Sequence, residues 1–192
     1  IENAIIVAMA MGCSTNAIIH LIAIARRSGI RLTMDKLDEI GRKVPVIANI
    51  RPSGKEYLME DFYYAGGILS LMYQLSDILN IDEKTVIGNN IKEIIKIQKP
   101  INEDVIRPLK NPIYKEGSLA VLKGNLAPDG CVIKPAACEK KFLKHKGPVI
   151  VFDSYPEMNR VIDSEDLDVS ENHVLVLRNV GPVGGPGMPE WG

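Results

Sequence analysis

The last twelve residues of the chain place five glycines and three prolines around a single acid, Glu190. Neither a helix nor a regular strand tolerates this density of glycine and proline, so the stretch is predicted to form an irregular loop. A loop that is costly to order often holds a ligand, and its one carboxylate is a candidate contact to a metal or a substrate. A flexible tail that follows the last strand is the alternative.

The composition is that of an ordinary soluble protein. The 192 residues are 46% hydrophobic and 24% charged, with a net charge of −1, which is enough for one or two domains. The near-neutral charge and the three Phe and one Trp argue against a nucleic-acid surface, and no apolar run is long enough for a membrane span. The chain starts without Met or a basic leader, so we expect a cytoplasmic protein of which this sequence is a fragment.

The three cysteines, Cys13, Cys131 and Cys138, do not have the spacing of metal ligands. Their odd number also excludes a complete disulfide framework. We expect reduced and mostly buried thiols. Because Cys13 lies beside a predicted helix start, where a thiolate can be stabilised, a reactive role for this residue stays open.

The hydrophobic pattern divides the chain into two halves. The first half is mainly helical, with one short buried strand at 44–50; helices are predicted at 17–27, from Thr33 onward, and at 58–65, 67–80 and 90–97. Three prolines mark 99–114 as an extended linker. The second half predicts strands at 119–123, 131–134, 149–152 and 173–178, with a helix at 155–162 and turn residues at 124–130. We therefore expect two domains, at least one of them incomplete.

Several polar residues are candidates for chemistry, each with a structural alternative. Residues 11–16 form the start of a helix, which favours an anion or is simply capped. His20 lies on an apolar run, where a packed, hydrogen-bonded histidine is more common than a catalyst. Glu60 and Asp61 could bind a metal or act as first-turn helix acids. Lys134 lies in the predicted strand 131–134 and faces either solvent or a site.

Six segments together resemble the dihydroxy-acid and sugar-acid dehydratase family in order and spacing. They are Gly12–Asn16, Arg42–Pro45, Pro52–Gly54, Met59–Asp61 with Ala65–Gly67, Gly124–Gly130 and Gly181–Glu190. The resemblance covers essentially the whole chain. The segments at 57–64, 175–182 and 189–192 are nearer to the sugar-acid branch than to the branched-chain amino-acid enzyme.

The resemblance implies an α/β fold: the end of a large α/β domain (1–98), a linker (99–114) and the beginning of a swivelling, β-rich, barrel-like domain (115–192). It also implies that the parent protein is a hydro-lyase acting as a dimer or tetramer. Such an enzyme converts a 2,3-dihydroxy acid into a 2-keto-3-deoxy acid with an iron–sulfur cluster and magnesium. A dihydroxy-acid dehydratase or a non-catalytic interaction module are the alternatives.

Only one functional residue of the family is expected in this chain. Glu190 matches the magnesium-binding glutamate of the family's glycine-rich segment, whereas the cluster cysteines are expected upstream and the base serine downstream. None of the three cysteines here matches a cluster ligand, and Cys13 replaces a glycine of many members. The isolated chain is therefore expected to be inactive.

Overall fold

The computed structural model describes residues 1–181 as a mixture of helices and short strands, which confirms the mixed α/β class. The chain divides into two compact units, Ile1–Glu139 and a second that begins at Lys140. None of the helices within residues 1–181 is both long and apolar enough to cross a membrane. Glu190 lies outside the described residues.

The first unit contains six helices in its described residues: α1 (Glu2–Met11), α2 (Asn16–Arg27), α3 (Met34–Gly41), α4 (Met59–Tyr64), α5 (Gly67–Gln74) and α6 (Ile91–Ile95). As predicted, Thr33 caps α3, because its side chain accepts a hydrogen bond from the amide of Lys36. Gly12 ends α1 with a φ of 80°. A left-handed residue at this point turns the chain directly into α2.

The core of the first unit collects the apolar faces of these helices around the segment 44–50. Ile5, Met9, Leu37, Leu71 and Leu75 are almost completely buried. The segment itself is buried, as predicted for a strand, but it forms no regular ladder: its backbone makes isolated bridges to residues 57, 106 and 114. Because three separate segments satisfy its backbone groups, it lies centrally without belonging to a sheet.

The proline-rich segment 99–114 contributes directly to this core. The amide of Asn49 donates to the carbonyl of Val105, and that of Arg107 donates to the carbonyl of Ile47. Val105 and Ile106 are 2% and 0% exposed. The middle of this segment therefore packs as an internal part of the first unit.

A hairpin completes the first unit. Its strands β1 (Ala120–Leu122) and β2 (Cys131–Ile133) pair antiparallel, and a short 3₁₀ helix (Pro135–Ala137) follows. The predicted turn at 124–130 joins them, with Gly124 and Ala127 exchanging backbone hydrogen bonds. Val121 donates its amide to Asp38 Oδ1 at 2.8 Å, which fastens the hairpin to α3.

The second unit is built around two parallel strands, β3 (Val149–Phe152) and β4 (Val174–Leu177), joined through helix α7 (Tyr155–Val161). A 3₁₀ helix (Lys140–Leu143) precedes them. Parallel strands need such a crossover, and the Ser154 side chain caps α7 by accepting from the Glu157 amide. The predicted order of strand, helix and strand is confirmed here.

Candidate functional site

The turn between α1 and α2, residues 12–15, is the centre of the candidate site. Gly12 has a φ of 80°, and a Cβ atom built on it would stand 2.5 Å from the Oγ of Ser53. Ser53 belongs to a second segment of the sequence pattern, Pro52–Gly54. The left-handed glycine thus lets the loop at Ser53 approach the backbone of the turn.

Lys134 joins this turn from the other end of the first unit. It follows β2 directly, and its Nζ donates a hydrogen bond of 2.7 Å to the carbonyl oxygen of Gly12. The side chain is partly buried, and this burial lowers the pKa of Lys134, an effect that the nearby Cys13 opposes. Lys134 therefore faces the candidate site rather than solvent alone, an outcome that the sequence left open.

Cys13 is the most buried of the three cysteines, with an exposed fraction of 8%. Burial raises the pKa of its thiol, while the Ser118 hydroxyl and the Lys134 ammonium act against the rise. The thiol is therefore held protonated at neutral pH, which does not support the reactive role that its place beside a helix start left open.

Two buried hydroxyls flank the turn. Ser53 and Ser118 are 6% and 0% exposed, and neither Oγ makes a hydrogen bond to a residue that the structure describes. Ser118 lies beside Cys13, where its hydroxyl opposes the rise in the pKa of the thiol. Sequence reasoning missed both serines as site residues, although the motif Pro52–Gly54 marked the position of Ser53.

Other candidates from the sequence have structural roles or lie apart. Asp61 Oδ2 accepts the amide of Leu58 at 2.7 Å, so this carboxylate caps α4 from its first turn. Glu60 is exposed in the first turn of α4. His20 is exposed, so the expectation that it packs among apolar side chains is wrong. The physical reason is that α2 packs against the core through the face that carries Ile18 and Ala25, whereas His20 lies on its solvent-exposed face.

The cysteines and acids of residues 1–181 do not form a metal centre. All three cysteines are free; Cys131 is exposed and Cys138 is half-buried, so the expectation of mostly buried thiols holds only for Cys13. Within the described part of the chain, no three His, Cys, Asp or Glu side chains come together as a possible metal site. The residues of this described part therefore do not fit an iron–sulfur cluster or a magnesium ion.

Relatives of known name align over nearly the whole chain. The 6-deoxy-6-sulfo-D-gluconate dehydratase of Pseudomonas putida is 46% identical and the alignment covers 100% of this chain and 34% of that protein. For the L-arabinonate dehydratase of Rhizobium leguminosarum bv. trifolii the identity is 46%, with coverage of 100% and 33%. The dihydroxy-acid dehydratase of Prochlorococcus marinus (strain MIT 9211) is 48% identical, with coverage of 98% and 34%. The chain thus spans about a third of the length of these relatives.

Two family models match in succession. The model described as dihydroxy-acid/6-phosphogluconate dehydratase N-terminal matches residues 1–94, and its C-terminal counterpart matches residues 104–191. The contact between Lys134 and Gly12 joins the two matched regions. The chain belongs to the dihydroxy-acid/6-phosphogluconate dehydratase family, a family of hydro-lyases.

Proposed function

We propose that this chain is part of an enzyme that removes water from a 2,3-dihydroxy sugar acid to give a 2-keto-3-deoxy acid. The observation that carries the proposal is the match of both family models, in order, across the chain. Relatives named for sulfogluconate and arabinonate support a sugar acid as the substrate. A dihydroxy-acid dehydratase is the second candidate, because a relative of that name is 48% identical.

The proposal includes an iron–sulfur cluster and a magnesium ion, with Glu190 as one magnesium ligand. When bound, these groups supply Lewis acidity to the hydroxyl that leaves and to the acid end of the substrate. The remaining ligands and the base serine are assigned to the other two thirds of the full-length protein. The 192-residue chain alone is therefore proposed to be inactive.

The wider arrangement is proposed on the same resemblance. Residues 1–98 would end the large α/β domain and 115–192 would begin the swivelling β-rich domain. The segment 99–114 would connect the two domains, with its middle packed in the core of the first unit. The full-length enzyme would work in the cytoplasm as a homodimer or homotetramer. Its partner would be a small-molecule acid rather than nucleic acid or a membrane.

The substrate is tested with the full-length protein, purified without oxygen, against arabinonate, xylonate, gluconate and dihydroxyisovalerate. The measurement is the release of a keto acid. We expect turnover of at least one sugar acid. Turnover of dihydroxyisovalerate alone would assign the protein to the second candidate. A cluster-loaded protein that turns over none of the four acids would overturn the hydro-lyase proposal.

The role of Glu190 is tested in the same full-length protein by the substitution Glu190→Gln. Removing a carboxylate ligand weakens magnesium binding, so we expect the magnesium concentration for half-maximal activity to rise and turnover to fall by about a hundredfold or more. Glu165→Gln, at an exposed glutamate of the second unit, is the matched control and should leave both values unchanged. An unchanged magnesium dependence in Glu190→Gln would contradict the assignment.

A further inference from the structure

The ammonium group of Lys134 has no acidic partner among residues 1–181. Its hydrogen bond goes to the neutral carbonyl of Gly12, and no described carboxylate lies within ion-pair distance of it. Lys123, which follows the neighbouring strand β1, pairs instead with Asp35 at 2.5 Å. A cation that has lost part of its water and has no counter-charge attracts an anion.

The backbone of the turn presents donors to the same region. The amides of Ser14 and Thr15 donate to no described residue, and both residues are exposed. They directly precede α2, a helix of 12 residues whose dipole places partial positive charge at this end. Free amides at such a point are suited to an anionic oxygen.

A buried side chain gives an independent indication. Ser53 is 6% exposed, and its Oγ points at Gly12, where it makes no hydrogen bond to the part of the chain that the structure describes. A buried hydroxyl that remains unpaired is costly, so its donor is available for a ligand at the turn. Amides, hydroxyl and ammonium thus converge from three separate segments of the first unit.

We propose that residues 12–15, Ser53 and Lys134 form a binding site for the carboxylate group of a small hydroxy acid. The ammonium supplies the charge, and the amides of Ser14 and Thr15 together with the Ser53 hydroxyl supply directed hydrogen bonds. The identification of this ligand with the acid end of the sugar acid rests on the proposed function. The existence of a carboxylate site does not, because it follows from the described residues alone.

The site is tested on the 192-residue chain with glycerate, the simplest 2,3-dihydroxy acid, followed by amide NMR. We expect saturable shifts of the Ser14 and Thr15 amide signals with glycerate and none with glycerol, which has the hydroxyls but no carboxylate. Lys134→Met should weaken the affinity about tenfold or more, and Lys134→Arg should retain most of it. Lys123→Met is the matched control and should bind as the unchanged chain does.

Several outcomes would overturn the proposal: equal shifts with glycerol, shifts away from the turn, or unaltered affinity in Lys134→Met. A second measurement uses the full-length enzyme, where Lys134→Met should raise the KM for the sugar acid about tenfold, with Lys134→Arg close to the unchanged enzyme. If Lys134 had a purely structural role, Lys134→Met would lower kcat and stability without a selective rise in the KM. If the full-length enzyme turns over a sugar acid while the KM of Lys134→Met is unchanged, the carboxylate site is wrong and the proposed function stands. If glycerate binds at the turn but the full-length enzyme turns over no sugar acid, the carboxylate site stands and the proposed function is wrong.

Discussion

Gly12 carries two constraints, and a single methyl group tests both. An alanine at this position would have to adopt a left-handed backbone conformation, and its Cβ would stand 2.5 Å from the Oγ of Ser53. We therefore expect Gly12→Ala to lower the free energy of unfolding by roughly 2–4 kcal/mol, from backbone strain together with overpacking. Urea denaturation followed by circular dichroism measures this change.

Gly29 is the matched control for this substitution. It has a φ of 74° at the end of α2, and among residues 1–181 no atom beyond its own chain neighbours lies within 4 Å of a Cβ built on it. Gly29→Ala should therefore cost only the backbone term, about 1–2 kcal/mol. If the two alanine variants lose equal stability, the close approach of Ser53 to the turn is not energetically significant.

At the scale of elements, Asp38 fastens helix α3 to strand β1. Burial acts to raise the pKa of Asp38, but hydrogen bonds from the Val121 amide and the Arg42 guanidinium outweigh it, so the pKa lies below its ordinary value. A carboxyl group with a lowered pKa stabilises the fold above its unfolded pKa of about 4, and this stabilisation is lost as the pH falls toward the folded-state value. Asp38→Asn should therefore destabilise by roughly 1–2 kcal/mol at neutral pH.

The pH dependence distinguishes this link from a general packing effect. The difference in unfolding free energy between the unchanged chain and Asp38→Asn should stay constant above about pH 5 and shrink below about pH 4. Glu39→Gln, which removes exposed ion pairs to Lys36 and Lys43, should alter stability little over the same range. A difference that persists undiminished at low pH would mean that ionisation of Asp38 does not support the contact.

The elements themselves could be predicted from the sequence wherever a local signal existed. Thr33 and the glycines at 124 and 130 mark element ends through capping and turn chemistry, and the structure follows them. The pattern at 44–50 indicated burial correctly but not the absence of a ladder. Bridges to residues 57, 106 and 114 depend on contacts that are distant in sequence, and no local periodicity encodes them.

At the scale of the whole molecule, the candidate site also depends on contacts that local sequence signals do not predict. Lys134 and Gly12 are 122 residues apart, and their hydrogen bond depends on how the hairpin packs against α3 and how α3 packs against α1. Composition and spacing could mark the turn at 12–15 as an anion site or a plain cap, and no more. Glu190 was predicted from the Gly/Pro pattern and the family resemblance, and it stays a prediction because it lies outside the described residues.

The boundary of the compact unit does not coincide with the boundary between the two family models. The compact unit ends at Glu139, whereas the first family model ends at residue 94 and the second begins at residue 104. A chain of residues 1–103 would lack Val105, Ile106 and Leu119, which are 2%, 0% and 3% exposed. Each buried aliphatic side chain contributes about 1.5–3 kcal/mol, so their joint loss is comparable to the whole stability of a typical domain, about 5–15 kcal/mol.

We therefore expect residues 1–139 to unfold in urea as one cooperative transition and residues 1–103 to show none, or one at a much lower midpoint with a smaller m-value. Residues 1–181 serve as the control, since adding the second unit should leave the transition of the first in place. Equal midpoints for 1–103 and 1–139 would instead favour the division expected from the sequence, with 99–114 as a linker outside the core. Cooperative unfolding of 1–139 alone would mean that the hairpin carrying Lys134 folds with the helices that it contacts. The carboxylate site would then form within a single folding unit.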